Sequence, residues 1–269
     1  MLRYGIPSFK LEKDVIDAEI EILQELGVEI RCGVDVGRDV TLADLRADGY
    51  KAFYVAIGCQ GGRKAGVPGE DAEGIQTAVT LLRTVGDDEH YKMSGKTVVI
   101  GGGNVAIDAA RVSLRCGADE VTMVCLEPRD GMPASDEEIA EAEAEGTSIR
   151  CGYGPKEFVT ENGRVTAVVL KKCTSLYNAE GRFAPSYDEN DTITLPCDNV
   201  VLSIGQCIEW GGLLDGEAVE LGRGQGAVAD PLTYQTAQPD VFVGGDVYTG
   251  PRFAIDAIAA GKQGAVSIH

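Results

Sequence analysis

The sequence predicts an α/β protein whose strands are covered on both faces and lead through glycine turns into helices. Three observations carry that prediction. Apolar runs at Ala52–Ile57, Thr97–Ile100 and Asn199–Ile204 show little polar–apolar alternation, as expected of strands buried on two sides. The 35 glycines occur without tandem repeats, which fits many tight strand-to-helix turns. The run Val98-Val99-Ile100-Gly101-Gly102-Gly103 passes directly from a strand pattern into a helical one, Asn104–Cys116.

The elements follow in order. Leu11, Val15, Ala18, Ile22 and Leu26 recur at helical spacing, so residues 11–26 read as an amphipathic helix stopped by Gly27. Val28–Cys32 is a short strand candidate, Thr41–Ala47 a short helix, and Ala52–Ile57 a strand ending in Gly58. Arg63–Glu70 is turn-rich around Pro68-Gly69. Beyond the glycine turn and its helix, Glu120–Leu126 reads as a strand. Asp136–Glu145 reads as an acidic helix, opened by a capping box of Ser135 and Glu138 and closed by Gly146. Lys156–Thr160 and Arg164–Lys171 flank Asn162-Gly163, the strongest hairpin signal in the chain. Asn178–Asp191 is polar and reads as the exposed tip of another hairpin. Val241–Val243 is a strand running into Gly244-Gly245-Asp246, and Phe253–Ala260 reads as a helix. No repeat of solenoid length is present.

Composition narrows the function classes. With 269 residues and 44% hydrophobic content, the chain can build a large core or two ordinary domains. Its 24 basic and 43 acidic side chains give a net charge of −19, which repels phosphate backbones and anionic lipid. Nucleic acid and membrane are therefore poor partners, and the expected location is the cytoplasm. No apolar run approaches the roughly 18 residues of a membrane span, and no basic-then-apolar leader opens the sequence. Eight cysteines occur, none in a Cys-x-x-Cys spacing. They read as reduced residues rather than as disulfide staples or as zinc or iron–sulfur ligands, so no metal site is expected. The same spacing argues against a dithiol relay beside the glycine turn.

Gly101, Gly103 and Ala106 occupy the marked positions of G-x-G-x-x-A, with Gly102, Asn104 and Val105 between them. An isolated match is weak evidence; here the strand before it and the helix after it supply the required context. Gly101 permits the tight turn, Gly103 lets a pyrophosphate approach the backbone, and Ala106 keeps helix and strand close. The pyrophosphate then lies on the helix N-terminus, where free N–H groups and the dipole favour negative charge. The bland alternative is a turn that binds nothing. It leaves three consecutive glycines, and their entropic cost, without a return. Glu127 lies just past the next strand, about 20 residues after the turn, where an acid accepts both ribose hydroxyls and repels a 2′-phosphate. Two other readings compete: an ordinary loop glutamate, and Arg129 as a partner for a 2′-phosphate. A third feature is Asp240-Val241-Phe242-Val243-Gly244-Gly245-Asp246, followed by Gly250-Pro251 and the last helix. Asp246 can accept hydrogen bonds from polyol hydroxyls, and the helix start can stabilise negative charge on a ring carbonyl. Alone, this stretch reads equally well as an aspartate in a turn.

Taken together, the three features resemble the glutamate synthase small-subunit-like flavoproteins, a group that includes the corresponding module of dihydropyrimidine dehydrogenase. The resemblance covers nearly the whole chain. It includes Tyr4–Leu11, Val36–Val40, Ala56-Ile57-Gly58, Val67–Asp71, the Gly101–Ala106 turn, Met132-Pro133-Ala134, Ser203-Ile204-Gly205-Gln206, Gly244-Gly245-Asp246 and Ala257–Gly261. It implies two Rossmann-like dinucleotide-binding domains, with the nicotinamide domain inserted in the FAD domain and an antiparallel β-hairpin crossover. On this chain the implied boundaries are residues 1–91 and 207–269 for a partial FAD-binding domain, and 92–206 for an NAD(P)-binding domain. The implied cofactor contacts add Gly58, Gly205, Gly245, Asp246, Gly250, Phe253 and Ala254 to the turn residues and Glu127. The implied activity is hydride transfer from NADH to FAD, and onward to iron–sulfur clusters or a redox partner subunit. The final acceptor stays open among glutamate synthesis, pyrimidine reduction, and hydrogenase or formate dehydrogenase coupling. No side chain need serve as nucleophile or general acid.

Two departures from the family pattern shape the expectation. NADP-using members look like Tyr-Arg-Arg where this chain has Cys125-Leu126-Glu127, which favours NAD(H) over NADP(H) on charge grounds. The family's first βαβ unit, with its FAD pyrophosphate glycines, precedes the segment that matches Tyr4-Gly5-Ile6-Pro7. The chain is therefore expected to be an N-terminally truncated member, with FAD bound weakly or not at all and with self-association through the truncated face. The rival expectation is a non-catalytic nucleotide-binding or scaffold module that retains only the NAD site.

Overall fold

The computed structural model describes residues 1–269. In chain order the elements are α1 (Lys13–Glu25), α2 (Leu42–Ala47), β1 (Phe53–Val55), β2 (Gly61–Gly62), β3 (Ile75–Thr77), α3 (Ala78–Asp87), β4 (Lys96–Ile100), α4 (Asn104–Arg115), β5 (Glu120–Cys125), α5 (Asp136–Ala144), β6 (Ser148–Cys151), β7 (Tyr153–Glu161), β8 (Arg164–Tyr177), β9 (Phe183–Pro196), β10 (Asn199–Leu202), β11 (Gln206–Cys207), β12 (Val241–Val243), α6 (Asp246–Thr249) and α7 (Ala254–Ile268). Two compact units form. The first holds Met1, Arg3–Glu12 and Gly62–Gly205; the second holds Leu2, Lys13–Gly61 and Gln206–His269.

The first unit is built on a five-stranded sheet of order β3-β10-β4-β5-β6, parallel throughout. Successive side chains of a strand point to opposite faces, and both faces here are covered. Val99, Val121, Met123 and Val201 pack among Leu81 of α3, Ile107 and Ala110 of α4, and Ile139 of α5. Val98, Ile100, Val124, Val200 and Leu202 point the other way and pack with Phe158, Val165, Val168 and Leu170. Those last four belong to an antiparallel sheet of order β7-β8-β9. Two-sided burial is why these strands read as unbroken apolar runs. The hairpin signal holds: Asn162 and Gly163 have φ of 53° and 81°, the paired positive values that a two-residue turn requires.

Residues near the start of the chain also belong to this unit. Lys10 forms ion pairs with Asp108 of α4 and Glu138 of α5. The Phe9 ring lies 4.6 Å from the Arg111 guanidinium and 4.0 Å from that of Arg115. Burial pushes the Asp108 carboxyl up, opposed by the Lys10 ammonium.

In the second unit, β1 and β12 form a parallel pair with Phe53 opposite Val241 and Val55 opposite Val243. Leu42, Phe53, Val55, Leu213, Val241, Val243 and Val247 make its core. Helix α2 opens on a full capping box between Thr41 and Asp44. Gly244 and Gly264 leave room for the Tyr54 ring, into which a Cβ on either would run.

Several expectations need correction. Val28–Cys32 is not a strand; the sheet of β1 and β12 does not include it. The amphipathic helix forms as α1, but none of its residues is buried; Val15 and Ile22 are half exposed. Asn178–Asp191 is mostly strand: β8 and β9 run as a long ribbon whose tip is closed by Asn178, which accepts from the amides of Glu180 and Arg182. The ribbon is polar because its outer half is exposed on both faces. The capping box at Ser135 is half formed. Ser135 Oγ accepts from the Glu138 amide, while the Glu138 carboxylate turns to Lys10. Strands β3 and β6 and helix α3 had no counterpart in the sequence reading. The two strands are short, with no fully buried residue to mark an apolar run.

Candidate functional site

The candidate residues fall into two sets, one in each unit. In the first unit, β4 delivers Gly101 to the end of the sheet. Its φ of +143° and its packing both require glycine: an added Cβ would stand 2.3 Å from the Ser203 carbonyl oxygen. That oxygen is held in place because the Ser203 amide donates to Ile100 O at 2.7 Å. Gly101→Ala should therefore destabilise this unit by roughly 2–4 kcal/mol, from combined backbone strain and overpacking. Urea unfolding would show it, and an unchanged midpoint would contradict this account of Gly101.

Gly102 is close-packed too. A Cβ there would meet Cys125 Cβ at 2.9 Å and Glu127 Oε2 at 3.0 Å. Gly103 differs from both neighbours. Its φ is −92°, open to any residue, and a Cβ there would meet nothing within 4 Å. It is the N-cap of α4 and makes no side-chain cap, so the amides of Asn104 and Val105 are not met by a cap, while that of Ala106 donates to Gly103 O at 2.9 Å. Ala106 is fully buried, as close helix–strand contact needs. Val105 is exposed beside the turn.

The loop after β5 completes the surround. Ala134 N donates to Gly102 O at 3.0 Å, and Ser135 N donates to Asn104 Oδ1 at 3.1 Å. These bonds pin the Met132–Ala134 segment over the turn. Glu127, half-buried, is steadied through its carbonyl, which accepts from Gly152 N at 3.1 Å. Beside it opens a cavity of about 570 Å³ lined by Arg129, Cys151, Lys172 and Cys173 among others. Arg129 is ion-paired to Glu143 at 2.6 Å, and Lys172 lies over the Tyr153 ring at 4.7 Å. Lys172 had no sequence signal, because it reaches the site only through the pairing of β8 with β7. Gly205 follows β10 with φ of +109°, and its carbonyl accepts from Arg63 N at 3.1 Å.

In the second unit, Gly245 and Gly250 bracket α6, with φ of +69° and +75°. Asp246 Oδ1 accepts from Arg252 N at 3.2 Å. Phe253 is the N-cap of α7 and provides no side-chain cap, so the first amides of α7, from Ala254 on, are unmet by a cap. Gly58, after β1, has φ of +70°. This set suits a polyol and a ring carbonyl. It does not suit a pyrophosphate, since neither β1 nor β12 leads through its glycines into a helix longer than the four residues of α6.

A strand, a glycine turn opening on a helix start, and a carboxylate at the end of the neighbouring parallel strand together describe an α/β protein of the dinucleotide-fold class. The comparisons agree. The chain belongs to the family described as pyridine nucleotide-disulphide oxidoreductase, whose sequence profile matches residues 15–261. It is 39% identical over 275 residues to subunit beta of the NADP(+)-dependent formate dehydrogenase of Moorella thermoacetica, covering all of this chain and 38% of that one. It is 33% identical over 288 residues to the glutamate synthase [NADPH] small chain of Escherichia coli (strain K12), covering all of this chain and 60% of that one. The chain thus spans well under two thirds of the length of these curated relatives. Among solved structures, FprA, a Mycobacterium tuberculosis oxidoreductase, superposes with a TM-score of 0.77 at 20% identity, over 99% of this chain and 74% of that one, which shows a shared fold. No helix is long and apolar enough to cross a membrane.

Proposed function

We propose that the chain is the nicotinamide-nucleotide module of an NAD(P)H-dependent flavin oxidoreductase, and that residues 92–206 bind NADH. The observation that carries this reading is Gly103. It is the one residue of the turn whose Cβ direction is empty, at the start of a twelve-residue helix, where a pyrophosphate can reach the backbone. Glu127 accepts the ribose hydroxyls. The clamps on Gly102 and Asn104 hold the turn before ligand arrives, so little is lost in ordering it. Ala106 lets α4 lie close to the sheet.

In this reading a flavin, if bound, would supply a hydride acceptor that can release electrons singly to an iron–sulfur or partner-subunit acceptor. Asp246 and the α7 start at Phe253 and Ala254 would hold the polyol and ring portions, with Gly58, Gly245 and Gly250 admitting them closely. The chain's own work is binding and orientation; no side chain acts as acid, base or nucleophile. The family membership and the names of the relatives, a formate dehydrogenase subunit and a glutamate synthase chain, support a redox partner of this kind. A second reading, a nucleotide-binding module without flavin chemistry, is favoured by the partial FAD set in the second unit.

Glu127 sets the cofactor preference to NADH through its charge. The opposite preference is favoured by Arg129 and Lys172 on the neighbouring cavity, and by the NADP(H) named for both relatives. Both cations already have partners, which weighs against them. The deciding measurement is calorimetric titration of both nucleotides. NADH should bind the wild type more tightly, and Glu127→Arg should narrow or reverse the difference, by roughly tenfold or more for one charge-assisted contact. Tighter NADPH binding by the wild type would overturn the assignment of Glu127.

A further inference from the structure

Cys125 and Cys151 are the last residues of β5 and β6 and stand directly opposite one another in the parallel register. Their Sγ atoms are 3.7 Å apart. Adjacent strands lie about 4.8 Å apart, within the roughly 4.4–6.8 Å that a disulfide spans between Cα atoms. Closing 3.7 Å to a bond of about 2.0 Å moves each sulfur by less than about 1 Å. The two thiols differ in access. Cys125 is 2% exposed, whereas Cys151 is half-buried and lines the cavity that also holds Arg129 and Lys172.

The pair lies directly under the nucleotide turn. Cys125 Sγ donates to Glu127 O at 3.6 Å, and that same carbonyl accepts from the amide of Gly152, the residue after Cys151. Cys125 Cβ and Glu127 Oε2 also occupy the space that a side chain on Gly102 would need, which places both beside the turn. A disulfide consumes the Cys125 S–H and so withdraws a donor from the carbonyl of Glu127, the residue whose side chain lies beside the turn.

We propose that Cys125 and Cys151 form a reversible disulfide that gates nicotinamide-nucleotide binding at the Gly101–Gly103 turn. This rests on the reading of that turn given above. The oxidant is a small disulfide of the glutathione class, which can reach Cys151 through the cavity that this residue lines. Cys151, as thiolate, attacks one sulfur of the small disulfide and expels the other half as a thiolate. Cys125 then attacks Cys151 Sγ, breaks the mixed disulfide and expels the second half; its proton ends on a departing thiolate. Two protein thiols are oxidised, and one small disulfide is reduced to two thiols. Burial pushes the Cys125 thiol up, and only Cys151 lines the cavity, so Cys151 is the thiol that meets the oxidant first. By linkage, a nucleotide that favours the reduced form protects the pair from oxidation by the same factor by which oxidation weakens binding.

The test uses the full chain, incubated with oxidised glutathione, then cleaved and mapped by mass spectrometry, with NADH affinity measured before and after. The expected result is a 125–151 cross-link and NADH binding weakened at least about fivefold. Dithiothreitol should reverse both changes, and in Cys151→Ser neither the cross-link nor the change in NADH affinity should appear. Exposed Cys32 serves as the internal control for oxidant action. Glutathione on Cys32 with no 125–151 cross-link would overturn the proposal. So would a cross-link that leaves NADH affinity unchanged. A reduced chain that binds no NADH at all would instead remove the reading of the turn, and the gate with it.

Discussion

Gly103→Val should abolish measurable NADH binding while leaving the fold in place. The two halves of that expectation have separate causes. Gly103 has a φ of −92°, which valine tolerates, and its Cβ direction is empty for 4 Å, so the new side chain displaces nothing. The stability cost is limited to a poorer N-cap, on the order of 1 kcal/mol or less. In the proposed reading the empty direction is, however, the approach of the pyrophosphate. Two isopropyl methyls there hold the phosphates off the helix amides, and each charge-assisted hydrogen bond lost is worth about 1.5–3 kcal/mol. Losing two implies a drop of at least about a hundredfold, since ~1.4 kcal/mol is tenfold. Calorimetry with NADH beside a urea unfolding curve separates the two effects. Equal affinity in variant and wild type would remove the turn from the site. Gly101→Ala, two residues earlier, differs in that it should lower the urea midpoint as well, because its Cβ would meet the Ser203 carbonyl oxygen.

The second large effect concerns flavin. The purified chain is expected to carry no stoichiometric FAD. Asp246 and the α7 start at Phe253 address the ribityl and ring end, and the second unit supplies no glycine turn opening on a long helix for the pyrophosphate. The loss of several such bonds, at about 1.5–3 kcal/mol each, amounts to many orders of magnitude in affinity. The same unit exposes apolar side chains on two helices, among them Val15 and Ile22 of α1 and Ile255 and Val266 of α7, so self-association at high concentration is expected as well. A visible absorption scan with light scattering measures both. A yellow, monomeric chain with one FAD bound would refute this account and turn the argument toward full flavin chemistry within these 269 residues.

Sequence by itself determined the parts of this protein that local geometry encodes. The Gly101–Ala106 turn and the Asn162-Gly163 hairpin were legible because positive φ and tight packing leave glycine few substitutes. The central strands were legible because burial on two faces removes polar residues from them. The position of Glu127, just past β5, was legible because its distance along the chain from the turn equals one helix and one strand. Tertiary structure alone decided which residues share a surface across strands and loops. No periodicity predicts that Cys125 meets Cys151, since the register of β5 on β6 sets that distance. The reading that disfavoured a dithiol relay beside the turn considered neighbours in sequence, and these two thiols are neighbours in the sheet. Lys172 at the cavity and Asn104 on Ser135 were hidden for the same reason. The apolar stripe of α1 was read correctly as a helix face, but its burial depended on what packs against it. Periodicity specifies which side chains face one way; only the assembled neighbours decide whether that direction is interior.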